Sequence, residues 1–186
     1  MESETDDVLV ERCRNGDREA FAALVVRYQR PVYNAAWWVL RNAEDASDVA
    51  QNVFLKVAER LDDYDPQYRF FSWIYRIAVN ESLDMLRRNG REEPLDDEID
   101  VAGPDGDDPE RRVGDAELSA RIRSAVMSMA TNDRTVLMLR HFSELSYLEI
   151  GQVLDLDEKT VKSRLFEARQ RLRGLHHHRK VAVHDV

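Results

Sequence analysis

The chain is 186 residues long, which allows one large or two small domains, and its single cysteine, Cys13, excludes an intramolecular disulfide framework. Its formal net charge of −9 is unusual for a protein that binds nucleic acid. The N-terminus lacks the basic and apolar regions of a signal peptide, and no run approaches the ~20 apolar residues that cross a bilayer. These features predict a cytoplasmic protein without a membrane segment.

The first 41 residues carry helical patterns. Residues 6–28 predict two short helices broken at Asn15-Gly16-Asp17, with Asp17 as the N-cap of the second. We expect Pro31 to begin a further helix that ends near Arg41, because proline is tolerated in a first turn. Trp37 and Trp38 are adjacent, so we do not expect both rings to face one core.

Two longer helices follow. Glu44 to Leu61 has one apolar stripe at helical spacing, and a turn-rich loop, Asp62 to Gln67, separates it from the next helix. Phe70 to Arg88 predicts a helix with Ser72 as its N-cap and Gly90 just beyond its C-terminus. These elements complete a helical N-terminal domain over residues 1–91.

The exposed arc of the Phe70–Arg88 helix combines cations, an amide, a carboxylate and an indole. Its members are Trp73, Arg76, Asn80, Asp84 and Arg87. Such a face is either a solvated surface or a site for single-stranded nucleic acid, where stacked bases contribute about 1–3 kcal/mol each.

A change of charge separates this domain from the rest of the chain. Residues 92–110 contain ten acidic residues and no basic ones, and prolines and glycines are frequent up to residue 114. We predict an extended acidic linker over 92–114, a second helical domain over 115–180 and a short tail over 181–186. Residues 156–180 carry eight basic against three acidic residues, so a local nucleic-acid-binding surface remains compatible with the net charge.

The second domain ends in a helix, a tight turn and a basic helix. Ser146 and Glu149 form a capping box for the first of these helices, and the turn follows at Asp155-Leu156-Asp157. In the basic helix an apolar stripe (Val161, Leu165, Ala168, Leu172) leaves the other faces polar. This pattern predicts either a DNA-binding helix-turn-helix or a structural helical hairpin with a basic face. Phe166 lies off the stripe and has no assignment.

Three segments, in this order, resemble the extracytoplasmic-function (ECF) sigma factors of the sigma-70 class. EDASDVAQNVFLKV resembles the family's polymerase-binding helix, FFSWIYRIAVNESLDMLRR its −10 promoter helix, and ELSYLEIGQVLDLDEKTVKSRLFEARQRLR its −35 helix-turn-helix. The resemblance implies an all-α, non-enzymatic factor of two small helical domains. Its implied partners are promoter DNA and the β′ clamp and β flap of core RNA polymerase, with an anti-sigma factor or a regulatory kinase as further expectations.

The resemblance also implies roles for individual residues. For the −10 element these are Tyr64, Tyr68, Phe70, Trp73, Arg76, Asn80, Asp84 and Arg87. For the −35 element they are Thr160, Lys162, Ser163, Arg164, Glu167 and Arg169. For core polymerase they are Asp45, Asp48, Gln51, Asn52, Phe54 and Leu55.

Some features leave alternatives open. Ser47 and Asn52 stand where the family usually has acids, which suggests either phosphorylation at Ser47, adding about −2 of charge, or ordinary variation of surface residues. The rival function is a stand-alone helix-turn-helix regulator with an N-terminal sensing or dimerisation domain. His176, His177 and His178 lack accompanying ligands, so we predict neither a metal site nor any cofactor.

Overall fold

The computed structural model describes residues 4–90, 122–141 and 143–182, and it contains helices and no strands within these ranges. The predicted linker at 92–114, the first part of the predicted second domain and the end of the tail lie outside the described residues. The all-α prediction is confirmed. None of the described helices is long and apolar enough to cross a membrane.

The N-terminal helices are α1 (Asp6–Arg14), α2 (Arg18–Leu40), α3 (Ala43–Arg60) and α4 (Phe70–Arg88). A 3₁₀ turn, Leu61–Asp63, follows α3. Further along, residues 122–127 are helical, and α5 (Thr131–His141), α6 (Tyr147–Leu154) and α7 (Glu158–Ala182) complete the described chain.

Helix α2 differs from the prediction because it runs through Pro31 without a break. A proline inside a helix removes one backbone hydrogen bond and costs about 3 kcal/mol or more. Burial of the flanking turns offsets this cost, since Tyr28, Val32 and Ala35 are all buried. Asp17 caps the helix as predicted, accepting from the amides of Glu19 and Ala20.

The C-terminal end of α2 is enclosed on all sides. Trp37 and Trp38 are both buried, contrary to the expectation from their adjacency, and their rings meet edge to face at 5.3 Å. The helix contacts α3 and α4 within the N-terminal half and α5 from the C-terminal half. Neighbours on opposite sides can therefore cover two adjacent side chains.

Helix α4 has the predicted bounds, but its N-terminus is built differently. Ser72 lies inside the first turn rather than at the N-cap, which is Arg69 and makes no side-chain cap bond. The buried arc of α4, including Phe70, Ile74 and Ala78, packs against α2 and α3. This packing turns the opposite edge of α4 outward.

The helix-turn-helix follows its predicted local chemistry. Both halves of the Ser146–Glu149 capping box are formed, and Asp155 adopts the left-handed conformation at φ 54°. Gly151 lies beneath the turn, where an added Cβ would meet the Leu156 carbonyl oxygen at 2.5 Å. In α7 the residues Val161, Leu165 and Ala168 are buried, so the predicted stripe is the packed face.

Candidate nucleic-acid interface

The exposed edge of α4 borders a groove of about 310 Å³ between α3 and α4. Three of the predicted −10 residues, Trp73, Arg76 and Asn80, line this groove. Trp73 supplies an aromatic wall for stacking, Arg76 a cation for phosphate and Asn80 an amide for hydrogen bonding. The complete lining is Lys56, Arg60, Asp63, Trp73, Arg76, Ile77, Asn80 and Glu81. We call it the α3–α4 groove.

Two cations of the α3–α4 groove were not assigned to it from the sequence. Lys56 and Arg60 lie one turn apart on α3, and Lys56 forms an ion pair with Glu81 of α4. Their i, i+4 spacing places both on one edge of α3. That spacing was a usable signal, but only the packing of α3 against α4 shows which element this edge faces.

Two predicted −10 residues lie on α4 outside the groove lining. Asp84 and Arg87 form an ion pair with each other at 2.9 Å, one turn apart near the C-terminus of α4. Arg87 is exposed and Asp84 is half-buried. The structure therefore places them beyond the groove, along the same helix.

Tyr64 and Phe70 differ from the prediction because their rings are buried. They are 3 % and 1 % exposed, and they pack edge to face at 5.4 Å. Tyr64 also lies 5.5 Å from the Trp73 ring and donates its hydroxyl to the Tyr68 carbonyl oxygen at 2.7 Å. Both rings thus support the groove wall from behind, whereas Tyr68 is half exposed.

The predicted polymerase-binding residues follow one side of α3. Gln51 and Phe54 line a second groove, of about 470 Å³, between α2 and α3. Asp48 and Asn52 are exposed nearby, and Asp45 is half-buried. Leu55 is 63 % exposed.

Ser47 lies at the edge of this second groove and is exposed. The groove is also lined by Arg30, a cation that a phosphate on Ser47 would approach. Phosphorylation at Ser47 stays a prediction.

In α7 the predicted −35 residues surround the N-terminal half of the helix. Asp157 caps the helix, accepting from the Thr160 amide at 2.9 Å and the Thr160 hydroxyl at 2.6 Å. Lys162 and Ser163 are exposed, with Lys162 bonded to Glu158 at 2.8 Å. Phe166 is 64 % exposed on the same side of the helix.

The remaining −35 candidates lie further along α7 and differ in exposure. Glu167 is exposed and pairs with Arg171 at 3.5 Å, and Arg164 is half-buried. Arg169 contacts the His141 ring nitrogen at 3.3 Å. Within the described residues, no group of His, Cys, Asp or Glu side chains is arranged to hold a metal ion.

Two of the polar contacts between the N-terminal and C-terminal helices were not apparent from the sequence. Glu149 of α6 accepts from the Ser72 hydroxyl at 2.9 Å and from Arg69 at 3.3 Å. Desolvation raises the pKa of Glu149, but hydrogen bonds from Ser146 and Ser72 outweigh it and hold the pKa below its usual value. The helix-turn-helix therefore contacts the N-terminal end of α4.

The second contact is made by Arg134 of α5, which is fully buried. Its guanidinium donates to the carbonyl oxygens of Trp38 at 2.5 Å and Val39 at 2.9 Å, in the last turn of α2. It also donates to the Met129 carbonyl oxygen at 2.7 Å. A cation at the carbonyl end of a helix is favourable. Burial, together with the charge of Arg41, lowers the pKa of Arg134 to about 9.

Family models match both halves of the chain. The model of sigma-70 region 2 matches residues 24–92. The model of sigma-70 region 4 matches residues 119–172.

Curated relatives and solved structures agree with these matches. The chain is 34% identical to the ECF RNA polymerase sigma factor SigW of Bacillus subtilis over 175 residues, covering 88% of this chain and 92% of the relative. It is 35% identical to the ECF RNA polymerase sigma-E factor of Escherichia coli K12, covering 89% and 91%. Among solved structures, CnrH in complex with the cytosolic domain of CnrY superposes with a TM-score of 0.67 at 28% identity, covering 92% of this chain and 97% of that one.

Proposed function

Because the chain belongs to the ECF sigma factors, a family of transcription initiation factors, we propose that it binds core RNA polymerase and directs initiation by reading and opening promoter DNA. The observation that carries this proposal is the α3–α4 groove, whose aromatic wall, amide and cations match the needs of an unpaired nucleotide. The stand-alone regulator is not favoured, since the relatives match over both halves of the chain.

At the −10 element we propose that the α3–α4 groove receives a base from the opened strand. Trp73 provides a stacking surface and Asn80 offers both a donor and an acceptor to the base edge. Removing a base from the duplex stack costs a few kcal/mol, and these contacts recover that cost. Arg76 and the α3 cations hold the adjoining phosphates. Asp84 and Arg87 would contact the strand further along α4.

At the −35 element we propose that α7 enters the major groove of duplex DNA. The N-terminal half of a recognition helix reads base edges, and flanking polar side chains fix its register on the phosphates. Ser163 and Glu167 are exposed for base contacts, and Lys162 is exposed for phosphate. Asp157 fixes the start of this helix and holds the Thr160 side chain.

The face formed by α2 and α3 is our candidate for core polymerase. It combines the apolar surface of Phe54 and Leu55 with the charged and amide groups of Asp48, Gln51 and Asn52. An apolar centre with a polar rim is typical of protein interfaces. An anti-sigma factor, which the family resemblance implies, is a further proposed partner, and the related CnrH forms a complex with another protein, the cytosolic domain of CnrY.

The test replaces two groove residues together, Arg76→Ala and Asn80→Ala. It measures the fraction of promoter DNA whose −10 element is open, on a promoter that the wild-type holoenzyme uses. We expect about tenfold less open complex with unchanged affinity for core polymerase, because the lost contacts form only with unpaired DNA. Arg88→Ala is the control, since Arg88 is exposed on the same helix outside the groove. Unchanged opening would exclude the groove, and loss of core binding by a folded variant would assign this face to polymerase.

A further inference from the structure

The 3₁₀ turn after α3 and the loop that follows it are tied to the first helix of the chain. Leu61 and Tyr64 bracket the turn, and Asp63 within it lines the α3–α4 groove. Arg14, in the last turn of α1, donates to the carbonyl oxygens of Tyr64 at 2.7 Å and Leu61 at 3.1 Å. One guanidinium nitrogen therefore spans the two ends of the turn.

Helix α1 is a firm support for this side chain. Its apolar residues Leu9 and Val10 are buried, and Asp6 at its start accepts from Arg27 and Tyr28 of α2. The position of Arg14 is thus fixed relative to the helical core. By contrast, residues 65–69 of the loop are all exposed.

The contact continues from the turn to the groove wall. The guanidinium of Arg14 lies 6.0 Å from the Tyr64 ring centroid, and the Tyr64 hydroxyl holds the loop by donating to the Tyr68 carbonyl oxygen. Burial raises the pKa of the Tyr64 hydroxyl, which is the donor in this bond. The Tyr64 ring also packs behind Trp73. A shift of the turn would therefore move both Asp63 and Trp73.

We propose that Arg14 is a positioning residue for −10 recognition: by clamping the Leu61–Tyr64 turn it fixes the shape of the α3–α4 groove, without itself touching DNA. This inference rests on the proposed function of that groove. Both bonds come from the same nitrogen, Nη2, and arginine suits the task because it carries this nitrogen one bond further from the backbone than lysine carries its ammonium, on a rigid planar group rather than on a flexible chain.

The test compares Arg14→Met, Arg14→Lys and a control, Arg12→Met, as holoenzymes on a promoter selected with the wild type. Arg12 is on the same helix and bonds Glu4 and Asp17 rather than the turn, so its loss removes the same charge without releasing the loop. We expect Arg14→Met to reduce opening of the −10 strand about tenfold while affinities for core polymerase and duplex −35 DNA stay within about twofold of wild type. Arg12→Met should behave like the wild type.

Two further readouts separate positioning from other roles. Amide hydrogen exchange of residues 61–69 in the free chain should be faster in Arg14→Met and unchanged in Arg12→Met. Arg14→Lys should remain defective in opening, because it keeps the charge but its shorter, flexible side chain does not hold a donor at the position of Nη2. Full rescue by lysine, or unchanged exchange in the loop, would overturn the proposal. A wild-type holoenzyme that opens no promoter would instead overturn the proposed function. Hydrogen exchange in the free chain tests the clamp without any promoter, so it separates this failure from a failure of the role proposed for Arg14.

Discussion

The contact of Arg134 with the end of α2 predicts how firmly the two halves of the free chain are held together. The guanidinium is fully buried and its two bonds to α2, to the carbonyl oxygens of Trp38 and Val39, cross between the halves. A hydrogen bond from a charged donor contributes about 1.5–3 kcal/mol. Burial of the cation, which lowers the pKa of Arg134, offsets part of this sum, but loss of the guanidinium would also leave the carbonyl oxygens of Trp38 and Val39 without this donor, so we estimate that its removal costs the docked arrangement about 2–4 kcal/mol.

The perturbation is Arg134→Met, which keeps an extended side chain but removes every donor. The equilibrium constant between the docked and separated halves should fall roughly 30-fold to 700-fold, because about 2–4 kcal/mol is lost and each 1.4 kcal/mol corresponds to a factor of ten. Energy transfer between dyes at Glu59→Cys and Gln170→Cys, both exposed sites, reports the separation in a Cys13→Ser background. We expect lower transfer efficiency in the variant.

The control is Arg171→Met, since Arg171 is bonded to Asp133 and Glu167 within the C-terminal half. It removes the same charge without touching α2. Circular dichroism establishes that the variants keep their helices, because Arg134 also bonds the Met129 carbonyl oxygen near its own helix. Unchanged energy transfer in a folded Arg134→Met chain would refute the assignment of this guanidinium as the tie between the halves.

Two further predictions concern charged groups of the helix-turn-helix. Lys162→Ala should weaken binding to duplex −35 DNA and reduce the slope of log K against log salt by about 1. Glu158→Gln should raise the affinity for this DNA, because it releases the Lys162 ammonium from its ion pair. Equal slopes for wild type and Lys162→Ala would contradict a contact between Lys162 and a phosphate. Folding lowers the pKa of Glu149 from its usual 4.5. The stability that its carboxylate contributes is therefore fully present above pH 4.5 and is lost as the pH falls through the lowered pKa of the folded chain. Energy transfer between the halves should drop in this acidic range in the wild type and not in Glu149→Gln.

Local structure was largely predictable because its determinants lie within a few residues of each other. The bounds of α4 follow from its apolar period and the Gly90 signal. The capping box at Ser146 and the turn that begins at Asp155 follow from residue types at defined positions. The α3–α4 groove was found in part for the same reason, since Trp73, Arg76 and Asn80 share one edge of one helix.

Features that depend on packing between distant segments were missed. Pro31 was expected to begin a helix, but burial on both sides of it carries α2 through the proline. The family resemblance assigned Tyr64 and Phe70 to DNA, yet their rings are buried, and an aromatic ring supports a groove as readily as it lines one. Only the angle at which α4 packs on its neighbours decides between these roles.

Glu149 shows why the contact between the halves lies beyond sequence reasoning. Its capping-box role uses one carboxylate oxygen, Oε2, on the Ser146 amide, and accounts for the residue completely at the local level. The second oxygen, Oε1, accepts from Ser72, 77 positions away, where no periodicity or spacing connects the two residues. Arg69 and Ser72 begin the same helix that carries the −10 groove residues, so the helix-turn-helix docks on the N-terminal end of the proposed −10 reader. If DNA binding separates the two halves, both the Glu149 and the Arg134 contacts must break, and the free energy of these contacts then opposes promoter binding. The Arg134→Met chain measures the Arg134 part of that free energy.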